Sequence, residues 1–267
     1  AAGDVLPAND AERLAPPPGA DGAMARLDSS PRHAEWATVP AGQGDSVRAW
    51  VVYPERSEPA PVILVVHEIY GLTAWIRSVA DRLAEHGFIA VAPDLLTGRD
   101  VPSADSGDPE RDAAVREIRA LDADDVHRRL SAVADWGMAR PAAAPTYGII
   151  GFCWGGSTSF AHATLAPELG ASVVYYGASP EAAALENVRA PVLGLYGGDD
   201  ERVNATIPAA DSAMRALGRT YETHIFEGAG HGFLRQQDGR EGANMRASEQ
   251  AWPETVRWLR THLEPST

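Results

Sequence analysis

Runs of apolar residues alternate with helical spacing along most of the chain. Residues 61–67 (PVILVVH) are continuously apolar and β-branched, the pattern of a strand buried on both faces. Apolar positions at helical spacing follow over 74–86, closed by Gly87, and a strand is expected over 88–92. A polar stretch covers 94 to about 110, and helical spacing then continues to about Gly137. Strands are predicted at 147–152, 171–176, 191–196 and 220–226, with a small-residue helix from Gly155 and another helix over 207–217. The chain closes on an amphipathic helix over 245–263, in which Pro253 should produce a kink or restart. Upstream, 35–39 and 47–53 read as two strands joined by Gly42-Gln43-Gly44-Asp45. Residues 1–34, rich in Ala, Pro, Gly and Asp and containing Pro16-Pro17-Pro18-Gly19, show no lasting period; they predict an extended, irregular arm ahead of one domain at 35–267.

Buried strands alternating with helices predict an α/β fold with a mainly parallel central sheet and helices on both faces. Such folds bind ligands outside the carboxyl ends of the strands, so reactive residues just after a strand are the ones to weigh.

Three stand there in chain order: Cys153, Asp200 and His231. Cys153 lies in Gly151-Phe152-Cys153-Trp154-Gly155, between a predicted strand and a predicted helix. This is the nucleophile elbow of α/β-hydrolases, G-x-S-x-G, with sulfur in place of oxygen. The turn is sharp, and side chains at the two glycines would strike neighbouring backbone. It exposes the sulfur at a helix N-terminus, whose dipole favours thiolate. A free cysteine is most often a small core residue; strand, elbow and helix together outweigh that reading. His231, in the loop Gly228-Ala229-Gly230-His231-Gly232, comes last, where this fold carries its base. Asp199 and Asp200 both follow a strand, and either could orient the imidazole. After the first buried strand comes His67-Glu68-Ile69-Tyr70-Gly71, where the fold supplies its second oxyanion donor, so the N–H groups of Ile69 and Trp154 are the expected hole. Glu68 could hold the thiol, take its proton, or stand solvated.

Charge narrows the partners. The formal net charge is −14, and all 23 basic residues are arginine. Such a surface repels nucleic acid, and an anionic substrate would need a local arginine clamp. No apolar run is long enough to span a bilayer. One cysteine allows no internal disulfide and no Cys/His metal cluster, so neither metal nor organic cofactor is expected. Two origins fit a chain beginning Ala1-Ala2-Gly3. A processed N-terminus would place it in the periplasm or outside the cell, and otherwise it would be cytoplasmic.

The stretches HEIYG (67–71), APDLL (92–96), GFCWGG (151–156), VVYYG (173–177), YGGDD (196–200) and AGHGFLR (229–235) together resemble the dienelactone hydrolase family, from about residue 47 onward. The resemblance implies a Cys-Asp-His triad and selects Asp200 through the pattern G-G-x-D. It implies that Glu68 contacts the resting thiol until substrate displaces it. It implies that Arg235, four residues after the histidine, binds the substrate carboxylate, with Arg111 as second arginine and Arg116 as its runner-up. Tyr70 is a further candidate for substrate binding. His67 departs from the polar amide common at that position, and the N-terminal extension departs from the compact family core. The expected activity is cleavage of a small ester or lactone, dienelactone-like, by a monomer or homodimer. The rivals are a general carboxylesterase with the same triad and a non-catalytic binding protein.

Overall fold

The computed structural model describes residues 14–264. Eight strands form one sheet in the order β1-β2-β4-β3-β5-β6-β7-β8. They are β1 (Ala34–Pro40), β2 (Ser46–Val52), β3 (Ala60–Val66), β4 (Ile89–Asp94), β5 (Ala143–Phe152), β6 (Ala171–Tyr175), β7 (Val192–Gly197) and β8 (Tyr221–Phe226). β1 pairs antiparallel with β2, and β2 with β4; from β4 onward every pairing is parallel.

Side-chain alternation explains why helices cover both faces. In β3, Ile63 and Val65 join one core, and Val62, Leu64 and Val66 join the other. All seven residues of β3 are buried. At about 1.5–3 kcal/mol for each large aliphatic side chain, this strand is among the strongest single contributors to the fold. The first face is covered by α2 (Ala74–Glu85) and the C-terminal α8 (Ala243–Leu263). The second is covered by α4 (Ala123–Met138), α5 (Trp154–Ala163) and, after the short α6 (Glu201–Asn204), α7 (Ile207–Ala216). Among the described residues no helix is long and apolar enough to cross a membrane.

Three expectations need correction. The single helical stretch before Gly137 is two helices, α3 (Arg111–Arg119) and α4. Asp122 divides them by capping α4, its carboxylate accepting from the N–H groups of Asp124 (2.9 Å) and Asp125 (3.1 Å). The C-terminal helix is continuous through Pro253 rather than restarting. Trp252 and Val256 are buried on either side and hold it to the sheet, which outweighs the lost hydrogen bond.

The third correction concerns the arm, whose residues 1–13 lie outside the described residues. The remainder is not irregular throughout: it contains a 3-10 turn, Ala20–Gly22, followed by α1 (Ala23–Ser29). Ala23 is buried, Leu14 and Leu27 pack on the first core, and Arg26 and Arg32 pair with the buried carboxylate of Asp81 on α2 at 2.8 and 2.9 Å. An anchor made by one charge on another helix leaves no periodic trace in the arm itself.

Candidate active site

The carboxyl ends of β3, β5 and β7 bring the predicted residues together. β5 runs into Cys153, which has φ 59° and ψ −118°, and α5 starts at Trp154. A β-carbon on Gly151 would lie 1.8 Å from the Gly155 carbonyl oxygen; one on Gly155 would lie 2.4 Å from the carbonyl oxygens of Val66 and His67. The two glycines are therefore required by close backbone approach, and the elbow carries Cys153 in a strained conformation that few non-glycine residues adopt.

His231 follows β8, its loop pinned where Gly230 N–H donates to Asn244 Oδ1 at 2.9 Å. Its Nδ1 lies 2.5 Å from Asp200 Oδ2. Asp199, the alternative acid, instead pairs with Arg240 at 3.0 Å on the surface. Burial disfavours the imidazolium, but the hydrogen bonds and charges of Asp200 and Cys153 outweigh it and push His231 up to about 10. The thiol, imidazole and buried carboxylate thus stand in the order that nucleophilic catalysis uses.

Glu68 departs from expectation. Its carboxylate, 2% exposed, is ion-paired with Arg235, Nε to Oε2 at 2.8 Å, where the resemblance implied contact with the thiol. Burial pushes Glu68 upward, opposed by the charges of Arg235 and His231. A guanidinium is the stronger partner for a carboxylate removed from water, and this one comes from the same loop as His231.

Tyr70 is flanked by two guanidinium groups. Arg111 donates to its hydroxyl at 2.8 Å and sits 4.0 Å from its ring centre, while Arg235 is 5.1 Å from that centre. Arg116, by contrast, is exposed and paired with its neighbour Glu117 at 3.2 Å. Arg111 opens α3 and so faces the strand ends; Arg116 lies more than one turn further along.

Ile69 belongs to the turn after β3, and Trp154 is the first residue of α5. Among the described residues neither N–H donates to a backbone carbonyl in a turn, loop or cap. Sequence reasoning missed Tyr176. It stands one residue past β6 at φ 39°, fully buried, its ring 5.2 Å from that of His231, and its hydroxyl has no hydrogen-bond partner. Its position directly after a buried strand was the available signal. One cluster with metal-ligand chemistry occurs among the described residues, Glu222, His224 and Glu254. Arg257 bonds to Glu222 at 2.9 Å and to Glu254 at 2.8 Å, satisfying both carboxylates.

The sequence model of the dienelactone hydrolase family matches residues 47–263. The chain belongs to this family. Membership makes it a carboxylic-ester hydrolase with the α/β-hydrolase fold. A relative in Methylorubrum extorquens that carries the name carboxymethylenebutenolidase is 32% identical over 237 residues, 82% of this chain and 78% of that one. One of the same name in Escherichia coli is 29% identical over 241 residues, 86% of this chain and 87% of its own. The crystal structure of a Klebsiella pneumoniae protein described as a dienelactone hydrolase superposes with TM-score 0.73 at 29% identity, covering 85% of this chain and 98% of that one.

Proposed function

We propose that the chain hydrolyses a small ester or lactone bearing a carboxylate, of the dienelactone type, through a thioester on Cys153. The observation that carries this reading is the pair of guanidinium groups on Tyr70, Arg111 and Arg235, the latter on the loop that also carries His231, in a protein of net charge −14. An acidic surface does not attract anions, so local arginines are what would hold one.

In the first half-reaction Cys153 attacks the acyl carbon as thiolate, its proton held on His231, and the carbonyl π pair moves to oxygen. The N–H groups of Ile69 and Trp154 receive that oxyanion. Collapse breaks the bond to the leaving oxygen, which takes the proton from the His231 imidazolium. In the second, water attacks the thioester, gives a proton to His231, and the thiolate departs. Asp200 holds the imidazole in one tautomer throughout. An enol is a good leaving group, which suits a thiolate enzyme. Substrate carboxylate arriving at Arg235 competes with Glu68 for the guanidinium and so couples recognition to the site.

The test is hydrolysis of a dienelactone beside p-nitrophenyl acetate. Cys153→Ala should abolish turnover of both. Arg235→Ala should raise KM for the lactone by about 10- to 100-fold, the worth of a charge-assisted hydrogen bond, and change the neutral ester far less. Equal losses on both substrates would remove the clamp and leave a general carboxylesterase.

A further inference from the structure

His67, which the triad does not use, is fully buried beneath the site. Its Nε2 accepts from the Leu95 N–H at 3.2 Å, and its Nδ1 lies 2.8 Å from the Glu68 carbonyl oxygen. One nitrogen accepts from a backbone donor, so the other carries the proton and donates. Burial pushes the ring toward its neutral form, against the charge of Asp94 and its contact with the Glu68 carbonyl, consistent with one acceptor nitrogen and one donor. The Glu68 carbonyl is one end of the planar peptide whose other end is the Ile69 N–H, and in a trans peptide the two point in opposite directions. Holding the carbonyl toward the imidazole therefore aims the N–H away from it. The Gly71 N–H also donates to this carbonyl, at 3.2 Å, but it belongs to the same turn and moves with it. His67 alone of the two donors ties the turn to Leu95, the residue after β4. The imidazole also stacks on Trp154, ring centres 5.7 Å apart at 21°, beside the other expected oxyanion donor.

We infer that His67 is a positioning residue that locks the Glu68–Ile69 peptide with its N–H turned to the acyl oxygen, and through its stack on Trp154 sets the spacing of the two oxyanion donors. The inference rests on the oxyanion reading given above. His67 is also where this chain departs from the amide expected at that position. A glutamine could make the same pair of bonds, Oε1 accepting from Leu95 and Nε2 donating to Glu68.

The decisive comparison is His67→Phe, which keeps a ring on Trp154 but removes both nitrogens, against His67→Gln. Both are assayed on p-nitrophenyl acetate and with a trifluoromethyl ketone, to which the thiolate adds to leave an oxyanion. His67→Phe should lower kcat by about 10- to 100-fold, approaching the loss of a whole oxyanion donor, with KM nearly unchanged. The inhibition constant of the ketone should rise in parallel, and His67→Gln should restore both to within a fewfold of wild type. Should His67→Phe fail to fold, His67→Asn, too short to bridge Leu95 and Glu68, takes its place. A kcat within twofold of wild type in the folded variant overturns the positioning role. So does an unchanged ketone affinity, or a glutamine variant no better than phenylalanine. Cys153→Ala separates the two levels. Turnover that survives it overturns the thioester reading and this inference together; turnover lost there but retained in His67→Phe overturns the inference alone.

Discussion

At Cys153 the backbone is held at φ 59° because the glycines on either side let Gly155 approach within van der Waals range of β3 and β5. Gly155→Ala would drive a methyl group into the carbonyls of Val66 and His67. A loss of about 1–3 kcal/mol by denaturant unfolding is expected, as for overpacking generally, together with lost turnover. At His231 the sign of the pH dependence follows from its upward shift. The ordinary value is 6.5 and the folded value about 10, so the folded state favours the imidazolium. Its stabilising contribution is fully present below about 6.5 and is lost as pH rises through about 10. The stability difference between wild type and His231→Gln should therefore shrink across that window. The acylation rate should fall over its upper end as the leaving group loses its proton donor. Tyr176 carries a different expectation. Its buried hydroxyl has no partner, so Tyr176→Phe should cost no stability and could add about 1 kcal/mol. If that hydroxyl waits for substrate, kcat/KM for the carboxylate-bearing ester falls in the same variant; unchanged kinetics would leave it with no role in the reaction.

Individual strands and helices were mostly legible because their causes are local. The two-sided apolar run of β3 and the closure of α2 at Gly87, φ 99°, can both be read within a dozen residues. The division between α3 and α4 escaped because its signal is one capping side chain among several acidic residues, and helical spacing continues across it. Asp122→Ala should cost about 1 kcal/mol in thermal or denaturant unfolding by removing that cap, and should loosen α4 more than α3. Hydrogen exchange at the first turn of α4 would detect it. Pro253 is the converse: a local rule predicted a kink or a restart, and the helix runs on without a restart where Trp252 and Val256 are buried on either side.

Across the whole molecule the N-terminal segment is hydrogen-bonded to the loop that carries His231 and Arg235 and to α2. The Ala20 N–H donates to the Arg235 carbonyl at 3.0 Å, Gln237 Nε2 donates to the Pro17 carbonyl at 2.7 Å, and Trp75 Nε1 donates to the Pro18 carbonyl at 3.2 Å. These bonds seat the loop that carries His231 and Arg235. Ala20→Pro removes one of them at the first residue of a helical turn, where proline is otherwise well tolerated. It should raise KM for a carboxylate-bearing ester by up to about tenfold, a part of what an ångström of misplacement can cost, with p-nitrophenyl acetate kinetics nearly intact. Ala20→Ser, which keeps the N–H, is the control.

The division between sequence and structure follows range. Cys153, the glycine elbow, His231 in its loop and the alternating layers were determined by the sequence itself, because sterics of a turn and the period of a strand act between near neighbours. The choice of Asp200 over Asp199 needed resemblance in the sequence and is geometric only once β7 and β8 lie side by side. That Arg111 rather than Arg116 meets Tyr70, that Glu68 pairs with Arg235, and that His67 bridges β3 to Leu95 were decided by tertiary structure alone. Each joins segments whose approach depends on loop lengths and on the packing of a common core, and a buried charge or ring takes whichever partner that packing delivers.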